Sequence, residues 1–284
     1  MWEIFQLLFI SIIIPQLGYA YSSEESPASK TVGQATIGKA VSPDEFPYQV
    51  SLHTSFNGDE FFCGGIAVSN STVLTPGQCL YYDWGGQMPH LVVIVHTGIS
   101  SLNDKPLSKY EVSEITYHPK FNKMQIGNNL ALLKISTQSQ SDNSSIVLDY
   151  VLLAESFSQS SNSTENCTIV GWNKETRDLR SMDVNIVSCN SSSSNAMCIQ
   201  KVDAESAMCN MSLGSSLICD DKLVGILTMQ SYCNSSLPYT IVENIIPEKD
   251  WLLTNGAISY NSNLISIGFY FFAFHLITKK LLVD

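Results

Sequence analysis

Positive charge is what this chain has least of. Its 284 residues include 15 Lys and Arg against 26 Asp and Glu, for a formal net charge of −11. That balance argues against nucleic acid and against electrostatic binding to anionic lipid. It is mild for the length and names no partner. Metal-ligand spacing is missing as well. None of the eight cysteines forms a Cys-x-x-Cys pair, and the five histidines are scattered, so no metal and no cofactor are expected. No internal repeat is visible. Only 14% of residues are charged while 44% are hydrophobic. A chain of this size and composition can bury one large core or two small ones.

Residues 1–20 read as a signal peptide. Residues 7–15 are nearly all apolar and Gly18-Tyr19-Ala20 ends in small residues of the cleavage type, although Glu3 stands where Lys or Arg is usual. An uncleaved N-terminal anchor is the alternative. Residues 21–34, bearing Ser, Glu and Lys, read as a loose leader. Seven Asn-x-Ser/Thr sequons begin at Asn70, Asn143, Asn162, Asn166, Asn190, Asn210 and Asn234. Seven behind a signal peptide imply passage through the secretory pathway and a glycan-covered surface. Asn166 is the weakest of them, because its middle residue is Cys167.

Short apolar runs rich in β-branched residues follow. Residues 46–52, 91–95, 131–135, 167–172, 223–227 and 239–242 predict strands. Residues 138–145 form a polar connection, and 245–254 predict a closing helix with Gly256 as its stop. On periodicity alone the protein is all-β with many short strands.

Three segments carry a sharper signal. They are Phe62-Cys63-Gly64-Gly65 with Val73-Leu74-Thr75-Pro76-Gly77-Gln78-Cys79, then Asn128-Asn129-Leu130-Ala131-Leu132-Leu133-Lys134, then Cys209-Asn210-Met211-Ser212-Leu213-Gly214-Ser215-Ser216-Leu217. They resemble the segments around the catalytic His, Asp and Ser of trypsin-like serine proteases. The resemblance covers about residues 36–253, within an expected domain of 35–256. It implies an all-β fold of two packed antiparallel six-stranded β-barrels, with a C-terminal helix and a cleft between the barrels. At the working positions the chain has Gln78 for His, Asn129 for Asp and Leu213 for Ser. A Ser-His-Asp triad needs a nucleophile, a base to take its proton and an acid to hold the base. Gln has no titratable nitrogen and Leu has no nucleophilic atom. The resemblance therefore predicts a catalytically inactive homologue.

The same resemblance implies the disulfides Cys63–Cys79, Cys167–Cys219, Cys189–Cys198 and Cys209–Cys233, which use every cysteine and imply an oxidising compartment. The family's activation ion pair joins a newly cut N-terminus to the Asp before the nucleophile. Here that position is Ser212, and Gln34, near the expected junction, is no target for a trypsin-like activator. The oxyanion hole falls at the N–H groups of Met211 and Leu213. Met211 replaces a Gly and is expected to place its side chain in the approach path. Thr228-Met229-Gln230 corresponds to a pocket wall and Leu237 to a pocket Gly. Gln230 and Leu237 are expected to occlude the specificity pocket, with Ala207 or Met208 near its floor. His118-Pro119 matches a structural pair. None of His53, His90, His96, His118 and His275 is expected beside Leu213.

Residues 257–284 extend past the usual end of such proteases. Residues 264–278 are apolar and aromatic, followed by Lys279-Lys280. Fifteen helical residues span about 22 Å, short of a roughly 30 Å hydrocarbon core. Residues 258–263 add length but bring in Asn261, Ser262 and Asn263. A single-pass anchor, a GPI signal at Asn255-Gly256-Ala257 and a packed tail on a soluble protein all stay open. The expectation is a non-catalytic glycoprotein, secreted or on the outer face of the plasma membrane, that binds an extracellular or cell-surface protein. Inactive members of the family occur in the male reproductive tract, so a reproductive role is an analogy. A decoy for protease substrates or inhibitors and a residual serine hydrolase are the alternatives. Glycans at Asn210 and Asn234 are expected to flank the old cleft.

Overall fold

The computed structural model describes residues 38–56, 59–82, 85–122, 127–136, 148–156, 166–188, 195–202, 210–229 and 239–256. A two-residue strand, β1 (Lys39–Ala40), precedes two barrels. The first contains β2 (Gln49–Thr54), β3 (Glu60–Ser69), β4 (Thr72–Pro76), β5 (Val93–Thr97), β6 (Ser108–Tyr117) and β7 (Leu130–Ile135). It closes in the order β2-β3-β4-β7-β6-β5, every pairing antiparallel. The second contains β8 (Cys167–Trp172), β9 (Leu179–Val187), β10 (Ala196–Lys201), β11 (Ser216–Cys219), β12 (Lys222–Ile226) and β13 (Thr240–Asn244). Its ring is β9-β10-β13-β12-β11-β8, closed by the β8–β9 ladder, with β1 laid against β9. The protein thus has the two six-stranded antiparallel barrels that the resemblance implies.

The continuous apolar runs follow from burial on both faces. Ala131, Leu133 and Ile135 of β7 point into the first barrel with Val50, Leu52, Val73 and Val95. The alternate residues Leu130 and Leu132 face a cluster that joins Ile66 and Leu74 of the first barrel to Ile218, Leu223 and Ile226 of the second. A strand alternates its side chains between faces, so a strand wedged between a barrel interior and an inter-barrel core has no face left for polar residues. Each fully buried Leu or Ile is worth roughly 1.5–3 kcal/mol.

One polar residue bolts the barrels together. Gln49 is buried, its Nε2 donates to the carbonyls of Gly65 (3.2 Å) and Gly214 (3.0 Å), and its Oε1 accepts from the N–H (3.3 Å) and hydroxyl (2.7 Å) of Ser216. Every hydrogen-bonding site on the amide is used, as a buried polar group requires.

Several strand ends differ from the sequence expectation. The first long strand starts at Gln49 rather than residue 46, because Phe46 and Pro47 lie in turns. Leu91 and Val92 are not strand: Pro89, with φ −62°, leads into a 3-10 turn over His90–Val92, and Leu91 is 75% exposed. The closing helix is shorter than 245–254. A 3-10 turn at Ile246–Glu248, carrying Pro247, precedes α1 (Lys249–Thr254). Gly256 then stops it with φ 71° and an N–H bonded to Leu253 O at 3.2 Å, the left-handed C-terminal cap open to glycine. His118 ties this end to the first barrel, through Glu248 Oε2 at 2.8 Å and an edge-on contact with the Trp251 ring at 4.8 Å. The polar connection 138–145 lies outside the described residues. Among those described, no helix is long and apolar enough to cross a membrane.

Candidate functional site

The three positions singled out by sequence come together where the barrels meet. Gln78 sits in the 3-10 turn Gly77–Leu80 that follows β4, one residue before Cys79, whose disulfide to Cys63 of β3 anchors the turn. Asn129 immediately precedes β7. Leu213 lies in the loop before β11, and its carbonyl accepts the Gly64 N–H of β3 at 2.7 Å. That contact is close because Gly214 adopts φ +83°, and a Cβ on Gly214 would collide with the Gly64 carbonyl.

Asn129 is 3% exposed and fully engaged in holding the backbone. Its Oδ1 accepts the Gln78 N–H at 2.9 Å and its Nδ2 donates to the Thr228 carbonyl at 3.1 Å. An acceptor on one side and a donor on the other suit an amide, and the N–H committed to the Thr228 carbonyl is one that a carboxylate would lack. Gln78 is half-buried and brings no base. Leu213 is partly buried and packs against the apolar core of the first barrel. A side chain at that place serves packing. Leu213→Ala is expected to cost about 1–2 kcal/mol, the transfer of a partly buried leucine stub to water. Urea unfolding without reductant measures it. An unchanged midpoint would mean that the side chain packs on nothing.

Met211 corrects an expectation. It is 1% exposed and belongs to the core of the second barrel with Ile169, Val184 and Val224. Its side chain does not stand in the approach path: an apolar group next to a barrel interior is more stable inside it. Ser212 is also buried, its N–H bonded to Trp172 O at 2.8 Å and its hydroxyl oxygen without a hydrogen-bond partner among the described residues. Gln230, Leu237, Ala207 and Met208 lie outside the described residues, as do Gln34, the apolar tail and His275. Asn70 and Asn166 are exposed and Asn210 is half-buried, while Asn143, Asn162, Asn190 and Asn234 are not among the described residues. Cys167 pairs with Cys219, and Cys198 is disulfide-bonded. Cys189, Cys209 and Cys233 fall outside the described residues.

Two groups were not legible as motifs. The first is Glu243 of β13, 2% exposed, whose Oε2 accepts the Asn129 N–H at 3.2 Å and whose Oε1 has no hydrogen-bond partner among the described residues. Burial pushes its carboxyl up to about 7, against the lowering effect of the Asn129 bond. A single acidic residue in the buried strand Thr240–Asn244 was the signal available. The second is a cluster in the first barrel. The β2–β5 ladder sets Ser51 opposite His96, so His53 and His96 become diagonal neighbours although 43 positions separate them. Their rings stack with centroids 3.9 Å apart, and both face Asp59. Burial, and then the neighbouring ring, lowers His96 to about 4, and burial lowers His53 too. His90 stands apart, in its 3-10 turn.

The comparisons agree with this architecture. The family model described as Trypsin matches residues 36–262. Human kallikrein-7 is 24% identical over 241 residues, covering 80% of this chain and 87% of that protein. Trypsin-1 of Astacus astacus is 30% identical over 129 residues, 45% of this chain and 52% of that protein. Bovine coagulation factor XI is 24% identical over 230 residues, 74% of this chain and 36% of that protein. A match over most of the chain, on a fold of two six-stranded barrels, means that the chain belongs to the trypsin family of serine proteases.

Proposed function

We propose that this chain is a non-catalytic member of its family, an exported glycoprotein that acts by binding an extracellular or cell-surface protein. The observation that carries the reading is the occupancy of the three working positions. Leu213 packs on a core, Asn129 is spent on two backbone bonds, and Gln78 has no basic nitrogen. Nothing at these positions can take a proton from a nucleophile, and no nucleophile is there. Export is supported by residues 1–20 and by the seven sequons, with residues 21–34 as leader and 35–256 as the binding domain. The apolar residues of 257–284 support attachment to a membrane, which leaves the protein on the outer face of the cell.

The test uses full-length protein made in mammalian cells. A fluorophosphonate probe, which reacts with activated serines, is expected to leave it unlabelled while labelling an active family member beside it. Cell-surface biotinylation and a glycosidase mass shift are expected to be positive. Stoichiometric labelling by the probe would overturn the reading.

A further inference from the structure

The stacked imidazoles of the first barrel face one shared carboxylate. His96 is 3% exposed, and its Nε2 lies 3.2 Å from Asp59 Oδ1. Its angle is poor for a hydrogen bond, so among the described residues this buried nitrogen has the Asp59 carboxylate as a charge neighbour and no well-formed hydrogen bond. His53 is held in place beside it. Its Nε2 meets the Ser51 hydroxyl at 3.0 Å and its Nδ1 meets the Asp59 backbone carbonyl at 2.9 Å, 3.9 Å from Asp59 Oδ1. Asp59 adopts φ +71° just before β3, a left-handed conformation that Asp tolerates better than most residues, and its Oδ1 faces both rings. The other carboxylate oxygen is bonded to the Lys109 ammonium, which is half exposed. One ligand atom from each of His53, Asp59 and His96 lies within 4.8 Å of the others.

We propose that His53, Asp59 and His96 form a binding site for a divalent transition-metal ion of the zinc type. Two nitrogens and one carboxylate oxygen are the donor set of borderline cations, and three protein ligands leave a fourth position for water. Bonds of about 2.0–2.2 Å to a common ion require ligand atoms roughly 3.3 Å apart in a tetrahedral site. The Asp59–His96 pair already meets that spacing. The His53 ring must swing toward Asp59, exchanging its bond to the backbone carbonyl for the metal. Lys109 occupies the carboxylate in the absence of metal, as the counter-charge that an ion replaces. Once bound, the ion ties β2, β5 and the start of β3 at one point, so it acts as a staple on the first barrel. This site owes nothing to the three positions between the barrels, and it stands or falls without the non-catalytic reading.

The test titrates full-length protein, stripped with chelator, with Zn²⁺ alone. Zinc is expected to raise Tm by about 5 °C at concentrations a hundredfold above Kd, and Ca²⁺ or Mg²⁺ to leave it unchanged. Co²⁺ in place of Zn²⁺ is expected to show the visible absorption of a nitrogen- and oxygen-ligated ion. Asp59→Asn and His96→Gln abolish both responses. Lys109→Met guards against variants that fail to fold, because it removes a half-exposed competitor and no ligand. It is expected to tighten zinc binding roughly tenfold, the effect of removing one close positive charge. No zinc response in the parent protein, equal responses in parent and Asp59→Asn, or weaker binding in Lys109→Met would each overturn the site.

Discussion

Purified full-length protein is expected to hydrolyse peptide and ester substrates no faster than buffer does, and restoring the triad alone is expected to leave it so. Losing the nucleophile or base of a working serine protease costs about 10⁶-fold in kcat, and here both positions are changed. The triple substitution Gln78→His, Asn129→Asp, Leu213→Ser returns the three side chains without returning their surroundings. Asp at 129 would accept the Gln78 backbone N–H as Asn does, but it would also lose the donor that holds the Thr228 carbonyl. It would sit against Glu243, whose carboxylate already touches the backbone of residue 129. Two buried carboxylates at one place resist joint ionisation, so the restored acid would be partly neutral when the histidine needs it. Ser212 offers no carboxylate for the family's activation ion pair. The triple variant is therefore expected to stay at least 10³-fold below an active family member in kcat/KM, measured with a chromogenic peptide series and a burst titration. Turnover within tenfold of the active enzyme would show that the surroundings had been kept in working order.

The sequence made the scaffold legible because the motifs of this fold are local. Cys63 and Cys79 flank a turn, and Leu130 to Leu133 form one strand with two buried faces, so short windows sufficed. The residues at the three working positions, Gln78, Asn129 and Leu213, were legible for the same reason. Side-chain direction was not. Met211 looked like an obstruction because it stands where a glycine is usual, yet a methionine beside a barrel interior is drawn into it. Glu243 and the His53–Asp59–His96 cluster depend on register between strands far apart in sequence. A one-residue slip would turn either histidine to the other face of the sheet, and no single window fixes that register. Leu91 failed for a smaller reason, since an apolar run after proline reads as strand until the 3-10 turn exposes it.

The same Glu243 gives the protein an expected dependence on pH with a definite sign. Its carboxyl titrates near 4.5 in an unfolded chain and at about 7 in the fold. A group whose folded value is raised contributes stability that is fully present below the unfolded value and is lost as pH climbs through the folded one. Between pH 4.5 and 7 the fold therefore weakens, by about 3 kcal/mol at 1.4 kcal/mol per pH interval of displacement. The buried imidazoles work the other way. His96, near 6.5 when unfolded and about 4 in the fold, contributes stability above pH 6.5 that is lost as pH falls toward 4. In the wild-type profile the two effects oppose each other over pH 4.5–6.5, so the wild type alone hides both. The difference between wild type and Glu243→Gln separates them, because glutamine keeps an oxygen for the Asn129 N–H and cannot ionise. Relative to wild type, the variant is expected to gain about 3 kcal/mol between pH 4.5 and pH 8, read from urea unfolding at half-unit steps without reductant. Parallel curves would mean that Glu243 is not ionised against its burial. The expected divergence would place a buried negative charge on β13, beside the backbone of Asn129. A family member with an acid at 129 carries that charge where it can steer a histidine. Here it accepts from the Asn129 N–H and from the Thr228 side chain, so it ties β13 to the segment that leads into β7.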